Sequence, residues 1–88
     1  MNKEAEILFY QGKIEFLIQK CKEFQTDYIE EQEDLKEIIN TLNVISISLD
    51  SWKNVDIDNN LAEKDKAINS INELYRDLKQ ELNFTEEF

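Results

Sequence analysis

No proline and no histidine occur in this chain, and glycine, cysteine and tryptophan occur once each. Without proline, and with one glycine, little of the chemistry of tight turns remains. A fold of many short strands is therefore disfavoured and long helices are favoured. The absence of histidine removes the usual general base and the commonest neutral metal ligand, and it excludes helical di-metal sites built on Glu-x-x-His pairs. A lone cysteine, Cys21, cannot close an intramolecular disulfide, which fits a reducing compartment. No apolar run approaches the length that spans a bilayer, and the opening "MNKEAEILFYQGKIEF" is too charged for a secretory signal. Cytoplasmic synthesis is the expectation, with signal-peptide-independent export left open.

Positive charge is also scarce. Lys and Arg total 10 against 20 Asp and Glu, a formal net charge of −10. Such a surface repels phosphate backbones and anionic lipid, so neither nucleic-acid binding nor membrane insertion is expected, whereas a basic protein partner is accommodated. The 88 residues form a single small helical domain, 1–88. A chain of this size buries only about 60% of the surface that its unfolded form exposes. Regular packing or a partner must supply the remaining core.

What is present is a helical repeat. In steps of seven from Ile7, the positions Ile7, Ile14, Cys21, Tyr28, Leu35, Leu42 and Leu49 can all be buried. Three residues further on lie Tyr10, Leu17, Phe24, Glu31, Ile38, Ile45 and Trp52, a row that only Glu31 interrupts. This is the pattern of a coiled-coil-type seam. It predicts an all-α helical hairpin with a long first helix, about 4–50, of roughly 70 Å at about 1.5 Å per residue. Gly12 inside that helix costs about 1 kcal/mol relative to alanine. A second stripe, Leu61, Ala67, Ile68, Ile71, Leu74, Tyr75, Leu78 and Leu82, predicts a shorter helix over about 59–83, with Asp58 and Asn59 as candidate N-caps. The alternative is a three-helix bundle broken near 25–27, where Asp27 followed by Glu30 resembles a capping box.

In the hairpin, the shorter helix covers only about residues 28–50 and leaves the N-terminal half apolar on more than one face. Such a face marks an association site. The expected partner-binding residues are Ile7, Phe9, Tyr10, Ile14, Phe16, Leu17, Ile18 and Phe24. In the bundle, the same residues are internal core.

Little else suggests chemistry. Cys21 lies on the seam as a small hydrophobe with no histidine to activate it. The run "DIDNN" gives Asp56, Asp58 and Asn60 the spacing that opens a calcium loop. The match ends at Leu61, where glycine is required, and at Ala67, where glutamate is required, so a helix-capping linker is expected. No cofactor, metal site or catalytic group is expected, and the chain is not read as an enzyme. "DYIEEQED" concentrates Asp27, Glu30, Glu31, Glu33 and Asp34 into an acidic patch. It is either a solvated face or a dock for a basic partner.

The turn residues Trp52, Lys53 and Asn54 resemble the Trp-x-Gly turn of the WXG100/ESAT-6-like family of small, often acidic helical hairpins, with Asn54 in place of glycine. That family's tail signal, a tyrosine with an acid four residues on, is missing, since Lys79 stands four after Tyr75. The resemblance therefore implies a targeting, adaptor or chaperone-like partner of another helical protein in a secretion-associated setting. "LDSWKNV" is also similar to a stretch in small helical subunits of the fungal outer-kinetochore ring. The expected function is non-catalytic protein–protein interaction through helix packing, as a hetero- or homo-oligomer. The alternative is a small acidic inhibitor or nucleic-acid mimic that blocks a basic surface.

Overall fold

The computed structural model describes residues 3–52 and 61–88. Three α-helices occupy them: α1, Lys3–Asp27; α2, Gln32–Ser51; and α3, Leu61–Glu81. A single 3₁₀ turn, Ile29–Glu31, joins α1 to α2. The long first helix expected over 4–50 is therefore two helices. A helix of that span needs roughly 70 Å, whereas the molecule measures 43 × 23 × 16 Å along its principal axes.

The break falls in the one heptad where both apolar rows give out. Tyr28 is exposed and Glu31 is the charged interruption. A reciprocal clasp holds the reversal: the Gln25 side-chain amide donates to the Gln32 carbonyl at 3.1 Å, and the Gln32 amide donates to the Gln25 carbonyl at 3.0 Å. The capping box suggested by Asp27 and Glu30 does not form. Asp27 is the last residue of α1, and no side chain caps either the 3₁₀ turn or α2. Glu33 and Asp34 do sit in the first turn of α2, where carboxylates complement the helix dipole.

The side-chain contacts fix the direction of each helix. Gln25 meets Gln32 while the Gln11 amide donates to the Ser46 carbonyl at 3.2 Å, so α2 runs antiparallel to α1. Lys64 pairs with Glu6 at 3.0 Å, and Lys13 donates to Asn72 at 2.9 Å. Ascending numbers meet ascending numbers, so α3 runs parallel to α1 and the bundle is up-down-up.

The core between the helices takes Ile7, Ile14, Leu17 and Cys21 from α1, Leu35, Leu42 and Leu49 from α2, and Ile71 and Leu78 from α3. Leu82 and Phe84, just after α3, complete it. Apart from exposed Tyr28, the first apolar row is therefore the core line of α1 and α2. Of the α3 stripe, Ile71, Leu78 and Leu82 are buried and Ala67, Leu74 and Tyr75 are half-buried against the same core. Among the described residues, no helix is long and apolar enough to cross a membrane.

After α3 the chain turns sharply. Asn83 adopts a left-handed conformation (φ 55°), which asparagine tolerates better than most residues and which commonly ends a helix. Residues 84–88 then return over the surface shared by α1 and α3. Phe88 packs against Phe9 and Phe16 of α1, and its backbone N–H donates to the Tyr75 hydroxyl of α3 at 3.3 Å.

Candidate functional site

The residues expected to meet a partner divide by depth. Ile7, Ile14 and Leu17 are fully buried, Tyr10, Phe16, Ile18 and Phe24 are half-buried, and only Phe9 is exposed. The premise that nothing in the chain covers this half of α1 is corrected by the structure. With the chain broken at Tyr28, α2 packs back on α1, α3 lies parallel beside it, and residues 84–88 cover part of what remains.

On that covered side α1 and α3 form an aromatic groove. Phe9 meets Tyr10 edge-on at 5.1 Å between centroids. Phe16 lies 6.3 Å from Tyr75 and 5.9 Å from Phe84. The Lys13 ammonium sits 4.5 Å from the Tyr75 ring centre, a cation–π contact. Lys20 Nζ lies 3.0 Å from Glu86 and 5.5 Å from the Phe16 ring centre. Lys79 pairs with Glu87 at 2.8 Å. The hydrogen bond with Glu86 holds Lys20 above the ordinary lysine value against the opposing effect of burial, and Glu23 adds to it. Glu86 is held below the ordinary carboxylate value, mainly by Lys20. Glu87 and Lys79 shift each other in the same two directions.

The second surface is the tip where α1 passes into α2. Asp27, Glu30, Glu31, Glu33 and Asp34 are all exposed there, and among the described residues none of them is ion-paired. Between them stand two exposed apolar side chains, Tyr28 at 51% and Ile29 at 75% of full accessibility. Phe24 stacks beneath Tyr28, with rings 9° apart in tilt and 5.4 Å between centroids, and fixes its position. Asp27, Tyr28, Ile29, Glu30 and Glu31 line an open hollow of about 320 Å³.

Trp52 ends α2 and is half-buried against the core. The turn residues Lys53 and Asn54, the candidate caps Asp58 and Asn59, and the calcium-like Asp56, Asp58 and Asn60 lie outside the described residues. Among the described residues, no group of three or more His, Cys, Asp or Glu side chains is placed to hold a metal ion. Cys21 is fully buried, and burial pushes its thiol up to about 11. It is therefore protonated and unreactive at neutral pH.

Sequence reasoning did not single out the groove's other members: Gly12, Lys20, Lys79, Phe84, Glu86, Glu87 and Phe88. Two signals pointed to it. Asn83 directly after an amphipathic helix is a left-handed stop, and "FTEEF" beyond it carries two aromatic residues that a solvated segment does not need. Comparison of the chain with known protein families, curated proteins and solved structures finds no match.

Proposed function

We propose that this chain is a non-catalytic interaction module that docks the α1–α2 tip on a basic protein surface. The observation that carries the reading is the pairing at that tip of two exposed apolar side chains, Tyr28 and Ile29, with exposed carboxylates that have no cation partner among the described residues. An apolar anchor ringed by unpaired charges of one sign provides both burial and electrostatic steering toward a partner of the opposite sign. The Gln25–Gln32 clasp and the Phe24–Tyr28 stack hold the anchor in place before binding, which lowers the entropy lost on association. The reading covers an acidic inhibitor of a basic surface as one of its forms.

The test places a photo-crosslinking side chain at Ile29 and asks which protein it captures. The same capture is then repeated with Glu30→Lys, Glu31→Lys and Asp34→Lys combined, and at raised salt. Both changes should weaken binding strongly, because exposed charge attraction is screened within about 10 Å at 0.1 M ionic strength. Binding indifferent to both would sink the reading.

A second reading is an adaptor that packs on another helical protein, as the WXG100-like layout implies. It is favoured by the outer face of α2. From Ile38 to Leu49 the sequence carries no charge, and Val44 and Ile47, three apart on one face, are 62% and 70% exposed. Val44→Asp with Ile47→Asp separates the two readings, since it should abolish binding on the second and leave tip-mediated binding unchanged.

A further inference from the structure

Residues 84–88 form neither helix nor strand, yet a built seat receives them. Phe84 is buried and anchors the segment beneath Phe16 and Tyr75. Beyond it, Phe88 lies over Gly12, whose missing Cβ would stand 3.0 Å from the tip of the ring. Phe9 and Phe16 form the walls, at 5.3 and 5.9 Å between centroids. Gly12 is the chain's one glycine. It weakens the helix at an interior position, and among the described residues the side chain close to its missing Cβ is that of Phe88.

Charge marks the same place. In a chain of net charge −10, three of the ten basic residues, Lys13, Lys20 and Lys79, stand at this groove. Lys20 and Lys79 face Glu86 and Glu87 of the returning segment.

The seat is held unevenly. Phe84 is buried, whereas Phe88 is 49% exposed and Glu86 and Glu87 are 59% and 75% exposed. At the far end the Phe88 backbone N–H donates to a side-chain hydroxyl of α3, and the backbone hydrogen bonds of Thr85 and Glu86 to the Glu86 carboxylate stay within the segment itself. Residues 85–88 can therefore lift while Phe84 stays anchored, exposing a glycine-floored aromatic pocket with two lysines at its rim.

We propose that this pocket is a docking site for a partner segment in which two acidic residues precede an aromatic one, and that Glu86, Glu87 and Phe88 are its built-in competitor. The site is separate from the tip and shares no residue with it, so either proposal can fail without the other. The segment already seated in the pocket supplies the partner's chemistry. An aromatic ring fills the space over Gly12 between Phe9 and Phe16, and two carboxylates reach Lys20 and Lys79. A competitor docked for all but a tenth to a hundredth of the time weakens the apparent affinity of an incoming segment by about 10- to 100-fold.

The probe is the peptide Thr-Glu-Glu-Phe with blocked ends, titrated at millimolar concentration into the isotope-labelled full chain and followed by NMR. The wild type is compared with the combined variant Glu86→Gln, Glu87→Gln, Phe88→Ala, whose helicity is checked first. The peptide should bind the variant at least about tenfold more tightly than the wild type, with shifts centred on Phe9, Gly12 and Phe16. Adding Lys20→Gln and Lys79→Gln to the variant should weaken binding several-fold, as should replacing the peptide's glutamates by glutamine. Equal affinity for wild type and variant, or no binding to a folded variant, overturns the proposal. Concentration-dependent dimerisation of the wild type that Phe88→Ala abolishes would assign the pocket to a second copy's segment and also overturn it.

Discussion

Lys64 shows how one residue departs from its row. It stands seven before Ile71 and fourteen before Leu78, on the core line of α3, and it is one of the two buried charged residues among those described. Its ammonium meets Glu6 at 3.0 Å, with side-chain exposures of 10% and 28%. A charged group on a core line lowers stability relative to a well-packed apolar residue but fixes which helix faces it and in what register. Glu6→Ala leaves that ammonium without its partner. It should destabilise the bundle by roughly 1–2 kcal/mol in urea unfolding, less than the 3–5 kcal/mol of a fully buried pair because Glu6 remains partly solvated. Lys64→Met in the Glu6→Ala background should recover most of that loss. A loss that Lys64→Met does not recover would show that the pair contributes more than it costs in desolvation. The sequence carried this signal only as a lysine in phase with Ile71 and Leu78. Nothing local distinguishes such a lysine from a solvated one until α1 is known to run alongside.

At the scale of elements, the segment after α3 responds to pH in a direction set by its own charges. Glu86 and Glu87 are held below the ordinary carboxylate value by Lys20 and Lys79. Their contribution to docking is therefore complete above the ordinary carboxylate range and is lost as pH falls through the lowered values. Lys20 and Lys79 are held above the ordinary lysine value, so their contribution persists into alkali and disappears only as pH rises through the raised values. Glu23 beside Lys20, the Tyr75 hydroxyl near Lys79 and Lys13 over the Tyr75 ring also stand at this seat. Phe88 should stay seated across neutral pH and lift on acidification below the carboxylate range, while the three helices persist. Loss of the nuclear Overhauser contact between the Phe88 ring and Gly12 before any loss of helicity by circular dichroism is the expected result. Simultaneous loss of both would show that the segment is part of the cooperative core.

At the scale of the whole molecule, two positions separate the observed bundle from a long-helix form. Tyr28 and Glu31 are the only members of the two apolar rows that are exposed. Both lie inside the reversal that the Gln25–Gln32 clasp closes. Replacing both with leucine completes the seam through the turn and removes a charge from it. The combined Tyr28→Leu, Glu31→Leu variant should therefore populate an extended helix from α1 into α2. Two such chains can then exchange α1 and remake each other's core, the usual outcome when a short hinge straightens. Light scattering should detect a dimer whose fraction rises with concentration, whereas the parent chain under the same conditions should stay a monomer. A variant that stays monomeric at millimolar concentration would place the decision in the glutamine clasp instead.

The sequence by itself determined the all-α class, the α3 stripe and, through the sevenfold row from Ile7 to Leu49, the core residues of α1 and α2 apart from Leu17, which lies on the companion row. These are properties of spacing, and spacing is local. Only the tertiary structure decided whether Leu35, Leu42 and Leu49 continue the line of Ile7, Ile14 and Cys21 or return to face it. Cys21 and Leu35 are two full heptads apart, so a reversal between them leaves the phase on both sides unchanged, and the periodicity reads the same for a rod and for a hairpin. That one decision turned Ile7, Ile14 and Leu17 from an expected partner surface into interior. It also brought α3 beside α1 and created the groove that Phe84 and Phe88 fill. The lone glycine was visible in the sequence as an energetic cost to a helix, and its use became visible only when a ring from the far end of the fold was found resting on it.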